Sequence, residues 1–190
     1  CWIQNSLSVA YILLLLSSPP FFIFFSLSDA PSSHLNLRRY PVTREEYFDY
    51  LLQTKYLPQD LRGFLTGWNW SAATNAFPYP KNTGSLPVTS ISLTEARKYC
   101  IDVGKRLPHT YEWQYAAQGN DGRKYPWGDE DDEKAYPARQ HPTNGTIEHW
   151  TGPSPVDAHD GVGDSPFGVS DLLGNVWQWT NSEFRDEHTR

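Results

Sequence analysis

The chain of 190 residues is long enough for one domain with a hydrophobic core. Its 8 Trp predict a core built from large rings, while 15 Pro and 13 Gly predict many loops and few long regular elements. A formal net charge of -6 excludes a nucleic-acid groove, because such a groove needs clustered cations. The chain begins with Cys and contains 0 Met, so we expect it to be a fragment of a longer protein.

An apolar N-terminal segment spans residues 1–39. Within it, residues 8–27 are mostly apolar and about long enough to cross a bilayer, which takes about 20 residues. Pro19 and Pro20 interrupt this stretch, and no Lys or Arg precedes it. Three interpretations stay open: a signal-peptide core, a membrane span, or non-native sequence joined to a domain. The first two place the protein in the secretory pathway, the endoplasmic reticulum or at a membrane, and the third leaves it in the cytoplasm.

Two capping boxes predict the starts of two helices, since each has a Thr or Ser followed three residues later by Glu. The pairs are Thr43 with Glu46 and Ser92 with Glu95. Between these helices, residues 56–87 are rich in Pro, Gly, Trp and Asn, which predicts a long loop. We expect the rings of this loop to pack on the core.

Two glycines mark the predicted helix ends. Gly104 follows the second helix, and Gly119 follows a third helix of about His109–Gln118. Cys100 lies on the apolar face of the second helix, where a small buried residue is expected rather than a redox residue. Two cysteines in the chain predict no disulfide framework.

Oxygen donors are concentrated near the end of the chain, in residues 167–180. If the chain bends at its glycine, two side chains and two backbone carbonyls converge in the way that proteins wrap calcium. The four donors are Asp171, Gly174, Val176 and Gln178. Trp177 and Trp179 are two residues apart, so an extended segment would place both rings on one face, expected to pack.

Five blocks occur in the order PVTREEY, PVTSISLTEARKYC, GKRLPHTYEWQYAAQG, YPWGD and FGVSDLLGNVWQWT. In that order they resemble the sulfatase-modifying-factor family, typified by the formylglycine-generating enzyme. The resemblance spans about Tyr40 to Thr180. It implies an α+β fold of the C-type-lectin-like kind, loop-rich with short helices and little regular sheet. It assigns residues 40–190 to a partial domain that lacks its C-terminal part.

The resemblance implies an oxidoreductase that converts a protein cysteine to formylglycine with O2 and a metal, acting on a protein or small thiol substrate. In that family a copper-binding cysteine pair follows the GNVWQW block, so no catalytic residue is assigned here and no turnover is expected from this chain alone. One alternative is the lectin-like domain of a non-haem iron sulfoxide synthase. Another is a non-catalytic binding module, which would expose Trp68, Trp70 and Trp150.

A structural Ca2+ site is also implied by the resemblance, at Asp171, Gly174, Val176 and Gln178. Gln178 stands where the family usually has Glu, so one negative charge is missing. The 6 His form no metal-ligand set. His159 lies beside Asp157 and Asp160 in a polar cluster, which is interpreted as a solvated loop; Asp164 follows in the same glycine-containing stretch. The family copper or iron site is therefore not predicted within this chain.

Overall fold

The computed structural model of the protein describes residues 4–5, 37–136 and 152–182. Within those residues the elements in chain order are β1 (Gln4–Asn5), α1 (Arg44–Thr54), α2 (Leu93–Asp102), α3 (Thr110–Gln118), a short 3-10 helix (Glu133–Ala135) and β2 (Trp177–Gln178). The two strands pair antiparallel, with Gln4 opposite Gln178 and Asn5 opposite Trp177. The described part is loop-rich with three α-helices and little sheet, which is compatible with the predicted α+β class.

Both predicted capping boxes are confirmed. Before α1, the backbone N–H of Glu46 donates to Thr43 Oγ1 at 3.2 Å, and the backbone N–H of Thr43 donates to Glu46 Oε2 at 2.9 Å. Ser92 and Glu95 make the same reciprocal pair before α2. Each box satisfies backbone donors that the first helical turn leaves without partners, so both starts are determined locally.

The predicted helix ends are confirmed as well. Gly104 follows α2 with φ +71°, and beside it the N–H of Lys105 donates to the carbonyl of Cys100 at 2.7 Å. Gly119 ends α3 with φ +68°, and a Cβ there would lie 2.9 Å from Pro166 Cγ. Glycine is required at 119 both for this backbone conformation and for the close approach of Pro166.

The main core lies between α1 and α2 and is built from rings. Tyr47 is fully buried, and its ring centroid lies 5.5 Å from that of Tyr50 and 5.4 Å from that of Tyr99. Aliphatic side chains complete this core, among them Val42, Leu51, Leu65, Val88, Ile91 and Leu107. The aromatic content of the sequence is therefore used mainly for packing, as expected.

No helix or strand forms within residues 56–87, as predicted for the loop. Trp68 is buried in the main core, and Phe77 and Tyr79 pack against that core. Trp70 is the exception, because it is 46% exposed, although its ring centroid lies 5.1 Å from that of Phe77. The expectation of packed rings is confirmed for Trp68 and wrong for Trp70, while Trp150 lies outside the described residues.

Cys100 is fully buried on α2, as predicted, but its sulfur is bonded in a disulfide. The count and spacing of the two cysteines did not predict this bond. Residue spacing could not show this, because disulfide pairing depends on which segments the fold brings within bonding distance.

Residues 8–27 lie outside the described residues, so the three interpretations of that stretch stay open. In the part of the chain that the structure describes, no helix is both long and apolar enough to cross a bilayer. The division into residues 1–39 and 40–190 stays a prediction.

Candidate functional site: the Asp171 turn

The Asp171 turn, defined as residues 170–178, packs on α3 through a small apolar cluster. The buried members of the cluster are Ala116 and Ala117 from α3, Leu172 from the turn and Val169, which directly precedes the turn. It is separate from the main core and contains no large buried ring. α3 is therefore the platform on which the turn is built.

Three residues of the turn adopt left-handed backbone conformations. The φ angles are 57° at Asp171, 96° at Gly174 and 55° at Asn175. For L-residues this region costs about 1–2 kcal/mol, and Asp and Asn tolerate it best because their short side chains bond locally. The sequence DLLGN thus supplies residue types suited to two sharp changes of direction.

The buried side chain of Asn175 links Asp171, within the turn, to Ser154, in a separate segment. Its Nδ2 donates to Asp171 Oδ2 at 2.8 Å and to the Ser154 carbonyl at 3.1 Å. Its Oδ1 accepts from the Ser154 backbone N–H at 3.0 Å. Asp171 and Asn175 are each only 4% exposed, so these bonds are shielded from water. A buried amide with all these partners rigidifies the site.

Gln178 connects the turn to α3. The indole N–H of Trp113, on α3, donates to Gln178 Oε1 at 2.6 Å. Gln178 Nε2 donates to the backbone carbonyl of Asp171. The half-buried Gln178 side chain thus joins two segments that are 65 residues apart in sequence.

Burial raises the pKa of the Asp171 carboxyl to about 6. The Asn175 hydrogen bond and the charge of His159 act in the opposite direction, while the carboxylates of Asp160 and Asp164 raise the pKa further. The buried carboxyl of the turn therefore lies near the negative charges of two other carboxylates, Asp160 and Asp164.

The nearby acidic residues are paired rather than only solvated. Asp164 Oδ2 lies 3.0 Å from Arg39 Nη2, and Asp164 Oδ1 accepts from Ser170 Oγ at 2.6 Å. Asp160 accepts from Tyr40 Oη at 2.6 Å. Asp160 remains exposed in its loop, and together with Asp164 it attaches residues 39–40 to the segment preceding the turn.

Asp157 is exposed, and His159 Nδ1 lies 3.1 Å from the Lys134 carbonyl. Among the described residues, no group of three or more His, Cys, Asp or Glu side chains could hold a metal ion. The predicted calcium site has a different composition, namely one carboxylate, two backbone carbonyls and an amide.

The four predicted calcium ligands all lie within the Asp171 turn. Asp171 is buried, Val176 and Gln178 are half-buried, and Gly174 is exposed. The buried carboxylate suits a cation, whereas the Gln178 amide presents N–H rather than oxygen to the Asp171 carbonyl. The donor set thus fits a calcium ion only in part, and calcium binding at these residues stays a prediction.

Sequence reasoning missed three partners of this turn: Trp113, Ser154 and Asn175. The Gly-Asn dipeptide at 174–175 is a turn signal and could have identified Asn175. No local signal identifies Trp113 or Ser154, because both bonds join distant segments.

The two tryptophans of the motif have different surroundings. Trp179 packs against the main core, and its indole N–H donates to the Ile91 carbonyl at 3.1 Å. Trp177 is 37% exposed. The expectation that both rings pack is therefore confirmed only for Trp179. Another pair of exposed rings consists of Tyr115, on α3, and Phe167, whose ring centroids lie 5.1 Å apart.

The sequence matches the sulfatase-modifying factor enzyme 1-like domain over residues 28–189. It is 32% identical over 147 residues to the formylglycine-generating enzyme of Mycobacterium tuberculosis, covering 69% of this chain and 47% of that protein. A Bos taurus protein named inactive C-alpha-formylglycine-generating enzyme 2 is 31% identical over 184 residues, covering 77% of this chain and 59% of the relative.

The hercynine oxygenase of Mycobacterium tuberculosis is 35% identical over 103 residues, which cover 52% of this chain and 22% of that protein. The chain spans about half the length of the formylglycine-generating enzyme and the inactive relative described above. These relatives therefore include proteins named as enzymes and one named as inactive.

Proposed function

The chain belongs to the sulfatase-modifying-factor family, and on that premise we propose that it forms part of an oxidoreductase of the formylglycine-generating type. The observation that carries the proposal is the family match over residues 28–189, together with similarity to an enzyme of that name over 69% of this chain. A C-type-lectin-like arrangement of the whole domain is part of the same proposal.

In the proposed reaction one substrate cysteine reacts with one O2 and two molecules of an external thiol. The products are the aldehyde of formylglycine, one hydrogen sulfide, one water and the disulfide of the external thiol. The cysteine carbon gives up two electrons, the external thiols give two, and O2 accepts all four. The family metal would supply O2 activation. The described residues of this chain would supply the scaffold and, through exposed Trp177, an apolar contact beside the turn.

We infer that these 190 residues do not turn over by themselves. Thiolates suit Cu(I), but the chain has only 2 Cys, and Cys100 is buried in a disulfide. A buried disulfide sulfur cannot act as a thiolate ligand. Any thiolate pair for copper would therefore come from residues beyond these 190.

The test compares this chain with the protein encoded by its entire reading frame. Each is incubated aerobically with a cysteine-containing peptide, a small thiol and copper, and aldehyde is captured with a hydrazide probe. We expect aldehyde only from the protein of the entire reading frame, and none from a peptide with Ser in place of Cys. Absence of aldehyde from that protein would contradict the proposed activity, whereas aldehyde from the 190 residues would contradict only their proposed incompetence.

Two observations favour second candidates. Similarity to a hercynine oxygenase supports an iron-dependent sulfoxide synthase, which predicts oxygen-dependent consumption of hercynine with iron instead of aldehyde formation. Similarity to a protein named inactive supports a non-catalytic module, for which Trp70 is the exposed ring among the described tryptophans of the loop. For a non-catalytic module we expect neither aldehyde formation nor consumption of hercynine.

A further inference from the structure

We propose that the Gln178 amide acts as a neutral clasp, a hydrogen-bonded link that holds the Asp171 turn against α3 without a metal ion. The proposal goes beyond the proposed function, because it concerns how the turn is held and does not depend on turnover. It rests on the match between the two ends of the amide and their two partners.

The two partners have opposite hydrogen-bonding requirements. The Trp113 indole N–H can only donate, and the Asp171 backbone carbonyl can only accept. The Gln178 amide meets both, since Oε1 accepts from Trp113 at 2.6 Å and Nε2 donates to Asp171. The reverse amide orientation would place donor against donor and acceptor against acceptor. The contacts therefore determine the orientation of the amide.

A carboxylate at position 178 could not make both contacts. It would still accept from Trp113, but it has no proton for the Asp171 carbonyl. Its oxygen would then face a carbonyl oxygen, close to a carboxyl group that is only 4% exposed. A divalent cation between these oxygens would remove the repulsion, since calcium is bound by carboxylates and carbonyls. The residue at 178 thus decides whether the turn requires an ion.

Asn175 provides an independent second neutral contact to the same residue. Its Nδ2 donates to Asp171 Oδ2 at 2.8 Å while the Gln178 amide serves the Asp171 carbonyl. Two uncharged amides therefore serve a side-chain oxygen and the backbone oxygen of Asp171. These two oxygens of Asp171 are therefore satisfied by protein donors, as buried polar groups require.

The proposal is tested by thermal unfolding of the wild type and of Gln178→Glu, each in EDTA and in millimolar CaCl2 at matched ionic strength. Gln114→Glu is the matched control, because it makes the same chemical change at an exposed position of α3. We expect the wild type and the control to melt at the same temperature in both buffers. Gln178→Glu should melt about 5 °C lower in EDTA and regain stability with calcium.

Two results would overturn the clasp. One is a wild-type melting temperature that rises with calcium as much as that of Gln178→Glu, because the ion would then stabilise the protein equally with the amide in place. The other is a Gln178→Glu variant as stable as the wild type in EDTA, because the amide N–H would then contribute nothing.

A second measurement keeps the proposal testable if the variant does not fold. The indole N–H resonance of Trp113, assigned with Trp113→Phe, is followed by NMR in the wild type. We expect it to be protected from solvent exchange without calcium and unchanged when calcium is added, because Gln178 Oε1 remains its acceptor. A calcium-dependent, saturable shift of this resonance would contradict the clasp.

Discussion

The main core and the Asp171 turn are held together by different kinds of interaction. In the main core, large apolar side chains such as Tyr47 and Leu51 fill the space between α1 and α2. In the turn, buried polar groups of Asp171, Asn175 and Gln178 are matched to individual donors and acceptors. The core therefore depends on size and apolarity, whereas the turn depends on the identity of single atoms.

This difference determines how each region responds to substitution. A core residue can often be replaced by another of similar volume at a cost below about 1.5 kcal/mol. A buried hydrogen-bonding residue has no such substitute, because removal of one partner leaves the other desolvated and unsatisfied. Both regions should be sensitive to truncation, whereas isosteric exchange should matter wherever it removes a hydrogen bond, which is the case for most buried polar groups of the turn.

The largest effect is expected for truncation in the main core. Leu51 is 2% exposed, so Leu51→Ala should lower the free energy of unfolding by about 2–5 kcal/mol through lost burial and a residual cavity. The control Leu61→Ala changes a side chain that is 47% exposed and should alter stability by less than about 0.5 kcal/mol. Urea unfolding measures both, and equal losses would show that the two leucines have similar surroundings in solution.

A smaller loss is expected in the turn. Asn175→Ala removes three hydrogen bonds to Asp171 and Ser154 and should lower the free energy of unfolding by about 2–3 kcal/mol. Asn82→Ala is the control, since Asn82 also has a positive φ, 62° against 55°, but is exposed. Backbone strain alone should cost about 1 kcal/mol there. If the two variants lose equal stability, the Asn175 side-chain bonds contribute nothing measurable.

A third kind of interaction is the ion pair between Glu112 and Arg106 at the start of α3. Its oxygens accept from Arg106 Nη1 and Nη2, each at 2.6 Å, and its side chain is 11% exposed. Hydrogen bonds from Arg106 lower the pKa of Glu112, although burial opposes the shift. Glu112→Gln should lower stability at neutral pH by about 1 kcal/mol.

The pH dependence of this pair follows from the direction of the shift. The pKa of Glu112 is lower in the folded state than its usual 4.5, so the unfolded state binds the proton more tightly. The stabilisation is present above pH 4.5 and is lost as the pH falls through the folded-state pKa. Denaturant unfolding at a series of pH values should show a shallower acid-side decline for Glu112→Gln. An acid-side decline in Glu112→Gln as steep as that of the wild type would contradict the role of Glu112.

The smallest effect concerns a polar atom inside the apolar core. Tyr47 Oη is buried without a hydrogen-bond partner among the described residues, so Tyr47→Phe should raise the free energy of unfolding by up to about 1 kcal/mol. Tyr50→Phe is the matched change, and it should lower stability by about 1 kcal/mol because Tyr50 Oη donates to Asp102 at 2.9 Å. Calorimetry compares the two, and a destabilising Tyr47→Phe would indicate that this hydroxyl has a partner in solution.

Features that depend on neighbouring residues were predictable from the sequence. The pairs Thr43 with Glu46 and Ser92 with Glu95 lie three residues apart, so their capping bonds form within one helical turn. Gly104 and Gly119 both have positive φ at helix ends, which is a local requirement, although the approach of Pro166 to Gly119 is a tertiary contact. The order of the five sequence blocks likewise identified the family, which the match over residues 28–189 confirms.

The contacts that shape the candidate site were decided only by tertiary structure. Gln178 meets Trp113 across 65 residues, and Arg39 meets Asp164 across 125. The disulfide at Cys100 and the exposure of Trp70 likewise depend on which segments the fold brings together. The sequence by itself thus determined where helices start and stop and which oxygens share the Asp171 turn. Only the tertiary structure decided that Gln178 Oε1 meets Trp113 and that Asn175 meets Ser154, because hydrogen bonds between distant segments depend on proximity in space, which residue spacing does not encode.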